Sequence, residues 1–456
     1  MLSDPAGFAP RAGSALLERA RLAAYRRLSP QRGAVVHYGV HRNGNAGDTA
    51  LFAATRLLFE SHLGKQDWIK LPVRSAVRPA DVDRINRHAK AVLVGGGGLI
   101  IPDSVSASQS GWQWNIALAD LKRLEVPLVL SAVGYNTFHG QSAFAQKFAE
   151  HVTETVSRAA FVGLRNTGSI RSLAAHLPDD LAAKLRFQPC PTTVLGKLLP
   201  QYAQSGETAG RHLSINLAYD RAERRFNGKV EECVAEIADA ARHLASQGWR
   251  VTVALHDPRD RFFLPLLRNA GLSFDVVDIA HARLPAILAF YQGVDLTIGM
   301  RGHGQMAPFG LGGMIFTLSS HPKMNYFLED IGQTQWGVDI RTPGFRDALI
   351  AGMEAVIVDP AATRQVIHAE QDRLWTLMAE KPAPLRPAFR IARPRYRAKN
   401  RSRSSGPPAV ATGLCSQPDS ARCMRACPNS AGTNSEIGIG PPRSSSAVDT
   451  GATKAR

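Results

Sequence analysis

The strongest chemical signal in the sequence is an arginine and a histidine two positions apart, in the segment Gly299-Met300-Arg301-Gly302-His303-Gly304. An arginine binds a carboxylate or a phosphate through two parallel N–H donors. A histidine titrates near neutral pH and can donate a proton beside a bound anion. Because the glycines leave no apolar face for His303 to satisfy, we predict that Arg301 and His303 reach one small anionic ligand.

A second arginine, Arg165, closes the apolar segment Phe161-Val162-Gly163-Leu164. An arginine at the carboxyl end of a parallel strand points into the crevice where ligands bind. We predict that Arg165 holds a carboxylate or a phosphate there. A surface salt bridge is the alternative interpretation.

Two glycine-containing segments follow other predicted strands. Gly44-Asn45-Ala46-Gly47-Asp48 opens a predicted helix, where backbone N–H groups favour an anion or a sugar hydroxyl. Asp48 is a candidate acceptor of a hydroxyl proton, and helix capping is the alternative. Four consecutive glycines, Gly95, Gly96, Gly97 and Gly98, either let a ligand approach the backbone or form a tight turn from strand to helix.

Weaker candidates for the same crevice are His256-Asp257, after a strand ending at Leu255, and His321-Pro322-Lys323, after one ending near Leu318. Ordinary loop chemistry explains both equally well. Three late cysteines, Cys415, Cys423 and Cys427, are spaced too widely for a zinc site and have no histidine nearby. We therefore predict no metal site.

The elements that position these residues read as repeated strand-helix-strand units, because short β-branched or leucine-rich runs alternate with segments of helical period. The predicted fold class is α/β, with two Rossmann-like domains whose parallel sheets face a central crevice. The predicted strands are 34–38, 91–94, 127–132, 160–164, 213–217, 251–255, 274–279, 296–300 and 314–318.

Changes in composition divide the chain into five parts. They are an N-terminal helical segment (1–32), an N-terminal Rossmann-like domain (33–200), a C-terminal Rossmann-like domain (211–345), a C-terminal helical segment (346–390) and a disordered basic tail (391–456). A polar stretch from Gln201 to Arg211 suits a linker between the two domains.

The net charge of +17 is unevenly distributed along the 456 residues. Eleven Lys or Arg against three acidic residues after position 390 place +8 of it in the tail, which argues against a nucleic-acid-binding globule. Five scattered cysteines suit a reducing compartment, and neither a signal peptide nor a membrane span is recognisable. We expect a cytoplasmic protein, and contact of the tail with the anionic inner face of the membrane stays open.

Taken together, these motifs resemble the polysaccharide pyruvyl transferase family. The resemblance covers residues 33–345 and rests on Asn45-Ala46-Gly47-Asp48, the Gly95–Gly98 run, Phe161-Val162-Gly163-Leu164-Arg165 and the Arg301-Gly302-His303 element. Many relatives have Arg-Leu-His where this chain has Arg301-Gly302-His303.

The resemblance implies a GT-B-like arrangement of the two domains and transfer of the enolpyruvyl group of phosphoenolpyruvate to a sugar as a pyruvate ketal. It implies that Arg165, Arg301 and Lys323 bind this donor, that His303 is the acid or a donor-binding histidine, and that Asn45 and Asp48 shape the acceptor side. The expected partners are phosphoenolpyruvate and a glycan or lipid-linked oligosaccharide, with no cofactor and no nucleic acid.

Two other functions fit the same residues. A GT-B-like glycosyltransferase would use Arg301 and Lys323 to bind the diphosphate of a nucleotide sugar. A non-catalytic binding protein would keep the fold and use the basic tail for contact with nucleic acid or anionic lipid.

Overall fold

A computed structural model of the chain describes residues 19, 23–28, 33–40, 44–102, 108–137, 141, 143–204 and 210–380. Most of the predicted N-terminal helical segment and the whole predicted tail (391–456) lie outside these residues. Within them, no helix is long and apolar enough to cross a membrane.

The first six strands form one parallel sheet in the order β2-β1-β3-β4-β5-β6. Every residue of β1 is buried, as expected for a sheet with helices on both faces. The strands are Ala34–Gly39 (β1), Trp68–Pro72 (β2), Ala89–Ile100 (β3), Leu128–Tyr135 (β4), Ala159–Leu164 (β5) and Leu185–Phe187 (β6).

The next six strands form a second parallel sheet in the order β12-β11-β10-β7-β8-β9, which is the Rossmann strand order. These strands are His212–Asn216 (β7), Arg250–Leu255 (β8), Asp275–Asp278 (β9), Leu296–Gly299 (β10), Met314–Ser319 (β11) and Gly337–Asp339 (β12). The predicted α/β class with two parallel sheets is confirmed, whereas the predicted domain boundaries stay predictions.

The helices that connect and cover the strands vary from one turn to six. They are Ala46–Leu63 (α1), Pro79–His88 (α2), Leu118–Lys122 (α3), Gln146–Arg158 (α4), Thr167–Ala174 (α5), Asp179–Ala182 (α6), Leu195–Leu198 (α7), Ala222–Arg225 (α8), Val230–Ser246 (α9), Phe263–Asn269 (α10), Leu284–Gln292 (α11), Gly302–Gly310 (α12), Pro322–Asp330 (α13), Arg346–Ile357 (α14) and Pro360–Glu380 (α15). Three 3₁₀ turns span Pro191–Val194, Pro200–Tyr202 and Pro258–Phe262.

The last helix, α15, contacts elements associated with both sheets. Gln371 donates a hydrogen bond to the carbonyl of Phe309 in α12. The ring of Trp375 lies 5.1 Å from that of His62 in α1. The Asp372 carboxylate pairs with Lys197 at 2.5 Å. This helix therefore bridges the two halves of the molecule.

Of the two interpretations of the four glycines, the tight turn from strand to helix is wrong. Strand β3 continues through them to Ile100. Gly95 and Gly97 have φ angles of +151° and +104°, which only glycine adopts readily. A side chain at Gly95 would lie 2.0 Å from the carbonyl oxygen of Ser131 on β4, so the glycine lets β3 pass close to its neighbour.

Candidate functional site

A cavity of about 280 Å³ lies where the carboxyl ends of the two sheets meet. In each sheet it lies at a point where the strand order reverses, between β1 and β3 and between β7 and β10. Ligands of doubly wound sheets bind at such switch points. The two halves also touch there, because the amide of Ala46 donates to the carbonyl of His256 at 3.0 Å.

Most of the residues selected from the sequence line this cavity. They are Asn45, Gly47, Asp48, Gly97, Gly98, Arg165, His256, Arg301 and His303. Gly95 and Gly96 lie deeper in β3 and are not among the lining residues. Lys323 belongs to the first turn of α13, but its side chain is outside what the structure describes.

Helix α1 presents its first turn to the cavity. Asn45 has an extended backbone, and its side-chain oxygen accepts the N–H of Asp48 at 3.0 Å. Asn45 is therefore the residue that caps the helix, and the Asp48 carboxylate projects from the first turn as a cavity-lining group. The helix begins at Ala46, two residues before the position that the sequence suggested.

Arg165 follows β5 and is 6% exposed. Its Nη2 donates to Oδ1 of Asn136 at 3.1 Å. Within the described part of the chain, its Nε is buried and makes no hydrogen bond. Burial lowers the pKa of Arg165, an effect that Cys190 and Asp48 partly oppose. Since an arginine stays protonated even so, this side chain brings a positive charge to the cavity.

Arg301 follows β10 and is held by two carboxylates. Its Nε donates to Asp260 Oδ2 at 3.0 Å, and its Nη2 pairs with the other oxygen of Asp260 at 2.5 Å. Its Nη1 lies 2.9 Å from Asp220 Oδ1. Burial alone would lower the pKa of Arg301, but the two carboxylates raise it above its ordinary value.

His303 stands in the first turn of α12 and is half-buried. A side chain added at Gly47 would lie 2.7 Å from the Cβ of His303. The first turns of α1 and α12 therefore pack directly together, and the absence of a side chain at Gly47 is what allows this packing. The contact fixes the histidine between the two sheets, beside the N–H groups that begin α12.

His256 is a much weaker candidate for proton transfer than Asp48. Burial, assisted by the positive charge of Arg301, lowers the pKa of His256 to about 3. Its Nε2 is hydrogen-bonded to the hydroxyl of Tyr291. The imidazole is consequently neutral at neutral pH and a poor acceptor of a proton.

The structure adds residues that the sequence did not indicate. Arg225 is a buried arginine in the one-turn helix α8, and its Nη2 lies 2.8 Å from Asp220 Oδ2. Asn136, which follows β4, orients Arg165. Asp257 and His321, which the sequence did indicate, also line the cavity. The further lining residues that it did not indicate are Arg74, Gln113, Arg221 and Arg259. None of them stands in a glycine-rich motif, and only their position after neighbouring strands could have suggested them.

Comparisons with known proteins agree with the motif-based resemblance. The model of the family described as polysaccharide pyruvyl transferase matches residues 45–313, more than half of the chain. No curated protein sequence matches the chain.

Several solved structures are similar in fold at low sequence identity. A glycosyltransferase from Rickettsia africae ESF-5 is 10% identical, with a TM-score of 0.48 over 78% of this chain and 98% of that chain. A putative UDP-N-acetylglucosamine 2-epimerase from Listeria monocytogenes is 12% identical, with a TM-score of 0.45 over 75% and 95%. On the family match, the chain belongs to the polysaccharide pyruvyl transferase family.

Proposed function

We propose that this transferase moves the enolpyruvyl group of phosphoenolpyruvate to a glycan and forms a pyruvate ketal. The observation that carries the proposal is the joining of cations from both sheets in one cavity. Arg165 comes from the first sheet, and Arg301 and His303 come from the second. A donor with two separate anionic groups suits such an arrangement, because each group can meet its own guanidinium.

The cavity has an arginine from each half of the molecule, and this arrangement suits an anion that contacts both halves. Arg165 is held against Asn136 by a hydrogen bond, and Arg301 is held by Asp260. Rigid donors stabilise charge without the reorganisation that water would need. We infer that these two guanidinium groups orient the phosphate and the carboxylate of the donor.

The proposed chemistry starts with a proton from His303 to the methylene carbon of the donor, which becomes the methyl group of the product. The adjacent carbon becomes cationic and is attacked by a sugar hydroxyl, whose proton passes to Asp48. A second hydroxyl of the same sugar then forms the other carbon–oxygen bond, and the phosphate leaves with the remaining proton. The two hydroxyls and the donor thus give one ketal and one phosphate, with no redox change.

The acceptor would enter from the side of the first sheet. Gly97 and Gly98 expose backbone there, and Asp48 faces the same space. We propose a sugar of a polysaccharide, or of its lipid-linked precursor, as the acceptor. The basic tail after position 390 would then bring the enzyme towards an anionic membrane where such precursors are carried.

The test is release of phosphate from phosphoenolpyruvate over a panel of oligosaccharide acceptors, with the product identified by its mass. His303→Asn and Arg165→Gln should each lower the rate at least about a hundredfold, because they remove the acid and a donor-binding charge. Arg123→Gln, an exposed arginine at the end of α3, serves as the control and should keep the wild-type rate.

Two results would contradict the proposal. One is release that is unchanged in both variants. The other is a thermal shift with UDP or GDP and none with phosphoenolpyruvate, which would favour a glycosyltransferase that uses a nucleotide sugar.

A further inference from the structure

The two carboxylates that bind Arg301 are those of Asp260 and Asp220, and they differ in how firmly the surrounding protein holds them. Asp260 is 2% exposed and accepts backbone N–H groups from His256 at 3.2 Å and Asp257 at 3.0 Å. Its position is thus set by the main chain as well as by Arg301. Asp260 is a permanent counter-ion of that arginine.

Asp220 occupies a different environment. It lies in the segment between β7 and α8, and about a quarter of its side chain is exposed to the cavity, 26% by area. Its two oxygens bridge two arginines, at 2.9 Å from Arg301 Nη1 and 2.8 Å from Arg225 Nη2. Because the Asp220 carboxylate borders the cavity, it can turn into solvent, where its negative charge does not remain buried without a partner.

Arg225 has further contacts that keep its guanidinium in place. Its Nε donates to the backbone carbonyl of Asp220 at 2.7 Å, and its Nη1 donates to the hydroxyl of Ser320 at 3.2 Å. The same Nη1 lies 3.4 Å from Nδ1 of His321. Arg225 therefore stays at the cavity wall whether or not the Asp220 carboxylate is there.

We propose that the slot between Arg225 and Arg301 is the subsite for the carboxylate of the donor, and that Asp220 fills it until the donor displaces it. The inference rests on the proposed function and makes Arg225 a donor-binding residue. The planar, two-oxygen form of the Asp220 carboxylate matches that of the donor carboxylate. With Asp220 displaced, two guanidinium groups face one permanent carboxylate, Asp260, so the slot has a net positive charge for one more anion.

Because Asp220 and the donor carboxylate compete for the same two arginines, removal of the Asp220 charge should increase the affinity for the donor. Asp220→Asn should bind phosphoenolpyruvate about tenfold more tightly than the wild type, because the donor no longer has to displace an anion. Isothermal titration would measure this affinity. The affinity for pyruvate, which has the carboxylate without the phosphate, should rise by a similar factor. The affinity for inorganic phosphate should rise much less.

Asp257→Asn is the matched control, because it removes a carboxylate of the same cavity that pairs with Arg259 and not with Arg225 or Arg301. It should change the affinity for phosphoenolpyruvate by no more than about twofold, which is the effect expected when a nearby negative charge is removed but no direct competitor is. Arg225→Gln should weaken binding of phosphoenolpyruvate and pyruvate by about tenfold or more. Asp220→Ser repeats the test should the asparagine variant be unstable.

The failures of the two proposals are distinguishable. If the wild type binds phosphoenolpyruvate and neither Asp220 variant binds it more tightly, the subsite is wrong and the proposed function stands. An equal gain in the Asp257 variant would likewise reduce the effect to overall charge and overturn the subsite. If neither the wild type nor the variants bind phosphoenolpyruvate, the proposed function fails and the subsite fails with it.

Discussion

The guanidinium of Arg165 lies directly against the backbone of Gly134 on β4. A side chain at Gly134 would come within 2.2 Å of Nε and 2.5 Å of Cζ of this arginine. The arginine is 6% exposed and has no room to retreat within the core. A glycine on one strand therefore determines where the charged group of the next strand lies.

This contact gives a prediction at the scale of one residue. Gly134→Ala should weaken binding of phosphoenolpyruvate by about tenfold, because the added methyl group displaces the Arg165 guanidinium from the cavity. Titration calorimetry measures the loss, and circular dichroism checks that the variant is folded. Gly293→Ala is the control, since φ is −94° there and the atom nearest to the added methyl group is the carbonyl oxygen of Phe290, at an ordinary 3.7 Å. Wild-type affinity in a folded Gly134→Ala protein would contradict the prediction.

Single residues were predicted from the sequence where a local motif carried the information. Arg165, Arg301 and His303 each follow a recognisable apolar strand, and all three line the cavity. The ion pair between Arg301 and Asp260 joins residues 41 positions apart, and neither residue's neighbours reveal it. Arg225 stands in an ordinary charged segment, so its burial depends on the tertiary structure alone.

At the scale of elements, the packing of α1 on α12 positions His303, the proposed acid. The contact requires a glycine at position 47, where a side chain would meet His303 at 2.7 Å. Gly302, one residue before the histidine, has no atom within 4 Å of an added Cβ. Two glycines in the first turns of α1 and α12 thus differ completely in their tolerance of a side chain.

The difference can be measured with a matched pair of alanine variants. Gly47→Ala should lower the rate of phosphate release at least about tenfold and destabilise the protein by roughly 1–3 kcal/mol, because the helices must separate. Gly302→Ala should keep both the rate and the stability, because no atom lies near its added methyl group. Equal effects of the two alanine substitutions would show that the interface does not set the position of His303.

The central strands were predictable because their β-branched residues are continuous and buried. The short strands β2, β6 and β12 were missed, since Lys70 interrupts the first and the other two have three residues each. The strand predicted to end at Val94 continues through the glycine run to Ile100, for a physical reason. Glycine usually ends a strand, but here it allows β3 to continue past Ser131.

At the scale of the whole molecule, the two halves are joined at a second place besides the cavity. Asp330 at the end of α13 accepts hydrogen bonds from the amide and the hydroxyl of Thr167 at the start of α5, at 3.1 and 2.6 Å. Burial raises the pKa of Asp330 to about 6, although the bonds from Thr167 oppose the shift. The junction therefore titrates just below neutral pH.

The sign of this titration gives a prediction for stability. The folded state binds the Asp330 proton more tightly than the unfolded state, so its contribution is complete below about pH 4 and is lost as the pH rises towards 6. Asp330→Asn keeps an acceptor for Thr167 and does not titrate. Relative to the wild type, the variant should therefore gain stability as the pH rises, by roughly 1.4 kcal/mol per pH unit at most.

Urea unfolding at pH 4.5 and pH 7.5 measures the difference between the two proteins. Asp347→Asn, which changes a highly exposed aspartate, is the control and should follow the wild type at both pH values. The prediction fails if the difference in free energy of unfolding between Asp330→Asn and the wild type is the same at both pH values.

The bridging position of α15 affects how substrates enter the cavity and how products leave it. This helix contacts α12 through Gln371 and α1 through Trp375, while Thr167 and Asp330 join the halves elsewhere. A wide hinge opening would break all of these contacts together. We therefore expect substrates and products to exchange through the cavity edge with the two halves still joined, and the speed of side-chain movement there, such as that of Asp220, to set an upper limit on turnover.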